Sequence, residues 1–291
     1  MINFAMYCKT HSKDFKRLKN MLNSFKKYNR DKVLLYISVP QLELDLFMPL
    51  KDENIEIMTD ESYAEKYFAT NTRYGFGISY VNQEICKLCF WEAGFCENYL
   101  CIDSDVTFIR DFYISDFMRD EKTPYSVLVM DKDLSVEKRY QSFWSERQEC
   151  IIKIFEMVGL NDNRYRTCHG MQCLNKVVLK SLKEDYMQPK GLAYKDLIDI
   201  APLEFTWYNA WLQKSKVIDI VEVEPFFKTF HNNFEYIYSK LQLIETQDLA
   251  RAYVGIILNS NWAEQINYEK PNLMYKIFYK IISKLLIKNN F

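Results

Sequence analysis

The chain has 291 residues, 48% of them hydrophobic and 26% charged, the balance of a folded protein and not of a disordered one. A formal net charge of −1 gives no electrostatic footprint for nucleic acid. No window of about 18 apolar residues is present to form a spanning helix.

In chain order, residues 2–8 predict a first strand, followed by the polar turn Lys9-Thr10-His11-Ser12. Ser12 is a candidate N-cap for a helix running to about Tyr28, with Phe15, Leu18, Leu22 and Phe25 at helical spacing. Strands are expected at Lys32–Val39 and Ile55–Met58, then a helix over Tyr80–Trp91 leading into a strand that ends at Asp103. A strand at Ser126–Met130 and a helix at Phe143–Val158 follow. The second half is less regular, with a helix near Asn175–Glu184, the segment Leu203–Leu212, a strand near Val217–Val223, and Phe226–Tyr238. Strands alternating with helices argue for a mainly parallel sheet, whose ligands bind at the carboxyl ends of its strands.

The segment 99–109 breaks an apolar run on Asp103-Ser104-Asp105 and then resumes it. Two carboxylates at the end of a buried strand are costly unless a cation or a partner offsets them. Alternation along a strand puts residues i and i+2 on one face, so both carboxylates are expected at one site. Their hard oxygens suit Mg²⁺ or Mn²⁺, which keep positions open for phosphates. The competing reading is an ordinary solvated turn or helix cap.

Of the eight cysteines, most sit inside apolar runs and behave as small hydrophobes. Cys86-x-x-Cys89 falls on a helical stretch with no second such pair after it, which argues against zinc. Residues 1–10 have no charged leader and too short an apolar core for a signal peptide, so a reduced, cytoplasmic setting is the expectation.

The last stretch, 273–291, repeats Lys276, Lys280, Lys284 and Lys288 every fourth residue, with Ile277, Phe278, Ile281, Ile282, Leu285 and Leu286 between them. Residues 266–291 carry five Lys and one Glu, a net +4. This is the pattern of a basic amphipathic helix at an anionic membrane surface. A terminal helix docked on the protein or on a second copy has the same pattern. The organisation expected is one domain over residues 1–265 and a tail over 266–291.

Four stretches together resemble the nucleotide-sugar glycosyltransferases of the GT-A fold. They are Tyr7-Cys8-Lys9-Thr10-His11, Gln83-Glu84-Ile85-Cys86-Lys87-Leu88, Leu100-Cys101-Ile102-Asp103-Ser104-Asp105 and Glu204-Phe205-Thr206-Trp207-Tyr208. More narrowly they look like a bacterial family of surface-polysaccharide glycosyltransferases once known only as a domain of unknown function. That family usually pairs two glutamines in the second stretch, where this chain has Gln83 and Glu84. The resemblance implies an α/β, GT-A-like Rossmann-type mixed sheet flanked by helices. It also implies a UDP- or GDP-sugar donor, a Mn²⁺ or Mg²⁺ ion, and a glycan or lipid-linked glycan acceptor such as capsule or lipooligosaccharide. The ion would be held by Asp103, Asp105 and a late histidine, His231. Thr10, His11, Arg73, Lys87, Asp103, Ser104 and Lys228 would face the donor, and His169-Gly170 would border the acceptor. Glu204 would be the base that deprotonates the acceptor in an inverting displacement. With the basic tail, such an enzyme would sit at the cytoplasmic leaflet of the inner membrane.

Two rival readings stand beside this one. Asp103-Ser104-Asp105-Val106-Thr107 also fits the start of haloacid-dehalogenase-type phosphatases, with Asp103 as nucleophile. That motif normally follows a domain's first strand, whereas three expected strands precede it here. The other rival is a non-catalytic, membrane-peripheral scaffold that keeps a transferase-like fold.

Overall fold

The structure is a computed structural model, and it describes residues 2–72, 77–136, 140–162, 164–168, 170–231 and 233–259, with Ile277 and Ile281 beyond them. Its strands are β1 (Ile2–Lys9), β2 (Leu35–Val39), β3 (Ile55–Thr59), β4 (Cys96–Cys101), β5 (Val106–Phe108), β6 (Tyr125–Val127), β7 (Cys173–Asn175), β8 (Val221–Val223), β9 (Phe227–Phe230) and β10 (Gly255–Leu258). The chain divides into two compact units. One comprises Met1–Phe15, Arg30–Ser104 and Tyr113–Pro225; the other comprises Lys16–Asn29, Asp105–Phe112 and Phe226–Phe291.

The first unit is built on a five-stranded sheet in the order β3-β2-β1-β4-β7. The pairs β1–β2, β2–β3 and β1–β4 are parallel, and β7 closes the edge antiparallel to β4. Strand β1 is apolar from Phe4 to Cys8, all of them buried, because a parallel central strand is covered on both faces. Tyr7 stacks on Phe90 with ring centroids 4.1 Å apart and meets Tyr63 and Tyr99 edge-on. A smaller parallel pair joins β6 to β8.

Two helices of this unit position the candidate site. Helix Ile78–Cys89 buries Val81, Ile85 and Leu88 on one stripe, yet Glu84 and Lys87 are buried with them. Helix Glu204–Ser215 is buried through most of its length, as expected of a helix without a solvent face. Trp207 Nε1 donates to the carbonyls of Leu197 and Ala201, both at 3.0 Å, which fixes how the chain enters this helix.

The second unit contains helix Phe15–Tyr28 (apart from Phe15) and a three-stranded sheet in the order β5-β10-β9. The central β10 runs antiparallel to β5 and parallel to β9. Phe25, Phe108, Phe112 and Phe227 form its aromatic centre, Phe108 and Phe112 stacking at 4.5 Å. Gly255 makes this packing possible. A Cβ there would lie 2.6 Å from the Thr107 carbonyl oxygen and 2.7 Å from the Phe227 ring.

Candidate functional site

The acidic motif sits past the carboxyl end of β4. The strand stops at Cys101, so Asp103-Ser104-Asp105 forms a connection with a turn at Ser104-Asp105. Strand alternation therefore does not relate the two carboxylates, contrary to the sequence expectation. The approach to the turn is firmly held: the Ile102 N–H donates to the Tyr7 carbonyl at 2.9 Å, and the Cys101 N–H to the Gln172 carbonyl at 3.0 Å.

Asp103 belongs to a cluster in the first unit centred on the ammonium of Lys87. Lys87 Nζ lies 3.0 Å from Glu204 Oε1, 3.4 Å from Asp103 Oδ1 and 3.9 Å from Glu84 Oε1. The Lys87, Glu84 and Glu204 side chains are 5%, 3% and 10% exposed, while that of Asp103 is 37% exposed. The Phe205 ring packs under the same ammonium, its centroid 5.3 Å away. Burial works against the charge of Lys87, but Asp103, Glu204 and Glu84 outweigh it and hold the pKa well above the usual lysine value. Burial, and then the negative charge of Glu204, push the Glu84 carboxyl well above the ordinary value. Burial also acts on Glu204, yet the nearby Lys87 and a hydrogen bond with Glu84 leave it below that value. In this cluster Glu84 keeps its proton to higher pH than an ordinary glutamate, while Glu204 and Lys87 are biased towards their charged forms.

This environment bears directly on two expected roles. Glu204 is buried, paired at 3.0 Å and depressed in pKa, all of which weaken it as the base for an incoming hydroxyl. Lys87 is buried among carboxylates that offset its charge, at 3.0 Å from Glu204 and 3.4 Å from Asp103, so a phosphate would meet it in competition with them.

A second polar group lies at the carboxyl ends of β1, β2 and β3. Lys9 Nζ is 2.8 Å from Asp60 Oδ2 and donates to the Thr10 carbonyl at 2.8 Å. Ser38 Oγ donates to Asp60 and lies 3.1 Å from the Tyr63 hydroxyl. Burial lifts the Asp60 carboxyl above its ordinary value, and Lys9 opposes the shift. Thr10 is buried, and its hydroxyl has no hydrogen-bond partner among the described residues, a position suited to a polar ligand atom. His11 is more open, with Nε2 3.5 Å from Asp14 Oδ2. The sequence reading missed Lys9 and Asp60 as a pair. The signal was present, since Asp60 follows the expected strand at 55–58 closely, as Asp103 follows the apolar run at 99–102.

In the second unit, the Asp105 carbonyl accepts from the Leu258 N–H at 3.3 Å, and the Asn259 N–H donates to the Phe230 carbonyl at 3.1 Å. Asp105 therefore precedes β5, and His231 follows β9, at the same end of β10. Neighbouring strands are about 4.8 Å apart, so the two backbones flank that end at roughly 10 Å. The His231 N–H donates to Glu235 Oε2 at 2.7 Å. Lys228 lies opposite Ile256 and shares a strand face with Phe230, out of phase with His231. Among the described residues, no three His, Cys, Asp or Glu side chains are grouped to hold a metal ion. Arg73 and His169 lie outside the described residues, as does the C-terminal tail except Ile277 and Ile281. Cys86 and Cys89 are buried on helix Ile78–Cys89, where burial pushes both thiols up.

This fold is GT-A-like. The galactosyltransferase LgtC, solved with donor and acceptor sugar analogues, superposes with a TM-score of 0.50 at 13% identity, over 96% of this chain and 95% of that one. Mouse xyloside xylosyltransferase 1 in its apo form gives 0.49 at 10% identity, over 89% of this chain and 98% of that one. The bifunctional glycosyltransferase WbbM gives 0.49 at 12% identity, over 96% of this chain and 48% of that one. No curated protein sequence matches the chain. The model of a family of unknown function (DUF6492) matches residues 2–151, and the chain belongs to that family.

Proposed function

We propose that this protein is a metal-dependent glycosyltransferase that moves a sugar from a nucleotide-sugar donor to a bacterial surface glycan or its lipid-linked precursor. The observation that carries this reading is Asp103-Ser104-Asp105, placed past the carboxyl end of a central strand in a GT-A-like sheet. Ligands of open α/β sheets bind at that end of the strands. The phosphatase alternative is weaker, because the motif follows β4 and not the first strand.

In the second unit, Asp105 and His231 stand at one end of the sheet, and their carboxylate and imidazole would supply the ligands. That oxygen-and-nitrogen donor set fits Mn²⁺, and also Mg²⁺ where water fills the remaining positions. A bound cation would neutralise charge on the departing nucleoside diphosphate. Asp103 would accept from the donor through the carboxylate edge turned away from Lys87, with Ser104 beside it. Thr10 would offer its hydroxyl to the nucleotide, with His11 as its neighbour in sequence; Arg73 would be a further donor-facing residue, and Lys228 would serve the phosphates. His169-Gly170 would border the acceptor. Donor sugars on UDP or GDP are the class expected.

The test is calorimetric titration of UDP and GDP with and without Mn²⁺, on the wild type and on Asp105→Ala. Binding should require the metal and weaken by about a hundredfold or more in the variant, several kcal/mol for a direct contact. Failure of the wild type to bind either nucleotide with Mn²⁺ or Mg²⁺ would overturn this reading.

The tail supports a peripheral position at the inner face of the bacterial membrane. Ile277 and Ile281 are helical, one turn apart and exposed, between lysines at 276, 280 and 284. The protein should float with vesicles of phosphatidylglycerol and phosphatidylethanolamine. Deleting residues 272–291 should abolish flotation and leave UDP binding within about twofold of the wild type. Flotation of the shortened protein would sink the anchor role.

A further inference from the structure

We propose that Glu204 and Lys87 act as a positioning pair for Asp103: Glu204 anchors the buried ammonium, and the ammonium holds one carboxylate oxygen of Asp103 so that the other faces the donor. The inference rests on the reading of Asp103 as a donor-side residue, and it gives Glu204 a role other than acceptor base.

Lys87 is braced at both ends of its side chain. Its main-chain carbonyl accepts from the Tyr99 hydroxyl of β4 at 2.8 Å. Its ammonium donates to Glu204 Oε1 at 3.0 Å and lies over the Phe205 ring, 5.3 Å from its centroid. A free lysine side chain has four rotatable bonds, and a single ion pair at the surface would position little. Here both partners of the inner pair are buried, so the ammonium has a fixed place. Asp103 is the partner that reaches outward. The contact from Lys87 runs to Oδ1 at 3.4 Å, and the Asp103 side chain is the exposed member of the cluster.

Glu84 does not compete for this role, since Lys87 is 3.9 Å from it and 3.0 Å from Glu204. The arrangement parallels the way metal and substrate ligands are commonly oriented by hydrogen-bonded partners behind them. Loss of such a partner costs roughly 10- to 100-fold in affinity.

A double-mutant cycle separates positioning from an independent or merely structural role. Mn²⁺-dependent UDP binding is measured calorimetrically on the wild type, Glu204→Gln, Asp103→Asn and the double variant. Gln keeps the size of the side chain and an acceptor for Lys87. Positioning predicts that Glu204→Gln weakens binding roughly 10- to 100-fold when Asp103 is present. In the Asp103→Asn background the same change should matter by no more than about twofold. An equal loss in both backgrounds, or no loss in either, would overturn the proposal.

The Lys87 ammonium signal in ¹⁵N NMR of the ligand-free protein supplies a second readout. It should move in Asp103→Asn and in Glu204→Gln alike. A signal indifferent to Asp103→Asn overturns the positioning contact. If the wild type binds no nucleotide, the glycosyltransferase reading fails, and the pair is then judged on this signal alone.

Discussion

Lys87→Met is expected to lower the stability of the first unit by about 3–5 kcal/mol at pH 7, read from urea denaturation. The cause is electrostatic and not volumetric, since Met fills nearly the space of the lysine stem. With the ammonium gone, Glu204 is left as a buried carboxylate without its counter-charge, and Asp103 loses its inner partner. Breaking one side of a buried pair is costly because desolvation of the survivor is no longer offset. Removing both charges should behave differently. Lys87→Met combined with Glu204→Leu leaves an apolar contact and should recover most of the loss, because well-packed hydrophobic replacements of buried pairs are close to neutral. If Lys87→Met alone costs less than about 1 kcal/mol, the pair is solvated as surface pairs are, and the cluster is not the buried device described above.

Much of the first unit was legible in the sequence because its signals are local. The apolar run at 4–8 and the run into Asp103 each declare their element without reference to distant residues, and in the second unit only the helical spacing of Leu18 to Phe25 does the same. The second unit was not legible in the same way. Its sheet joins strands of three and four residues from 106–108, 227–230 and 255–258, too short to show a period and paired only through long-range contacts. Gly255 marks the place where those strands close on one another, but in sequence it is an isolated glycine in an apolar stretch.

The site was legible by residue type more than by geometry. Asp103, Lys87 and Glu204 were all singled out, and the structure brings these three together. What the sequence could not convey was their mutual neutralisation, which changes the chemistry available to Lys87 and Glu204. Glu84 was noted only as a departure from a glutamine pair, although its place on the apolar stripe of helix Ile78–Cys89 already indicated a buried carboxyl.

That buried carboxyl leads to a measurable pH dependence. Of the two buried carboxyls beside the ammonium, Glu84 is the farther, at 3.9 Å against 3.0 Å for Glu204, and burial with the Glu204 charge makes it the one that holds its proton to higher pH. A protonated glutamate has the shape and hydrogen-bonding character of glutamine, the residue that the resembled family carries at this position. Burial raises the folded-state pKa of Glu84 above its ordinary value of 4.5. The folded protein therefore holds a proton that the unfolded chain releases above that value. The stability associated with Glu84 is complete below about pH 4.5 and declines by about 1.4 kcal/mol per pH unit as pH rises towards its folded-state pKa. Glu84→Gln cannot ionise, so its advantage over the wild type should grow above pH 4.5, by up to about 1.4 kcal/mol per pH unit, until the folded-state pKa is reached. Glu204 acts in the opposite sense: its pKa is lowered, so its stabilisation is lost only as pH falls through the folded value, below 4.5. Asp60 adds its own decline but is common to both proteins and cancels in the difference. Urea denaturation of the wild type and Glu84→Gln at successive pH values from 5 to 8 measures the gap. A gap that stays constant over that range would mean that Glu84 ionises as freely in the folded chain as in the unfolded one, which the burial of its side chain and the adjacent ionised Glu204 should prevent.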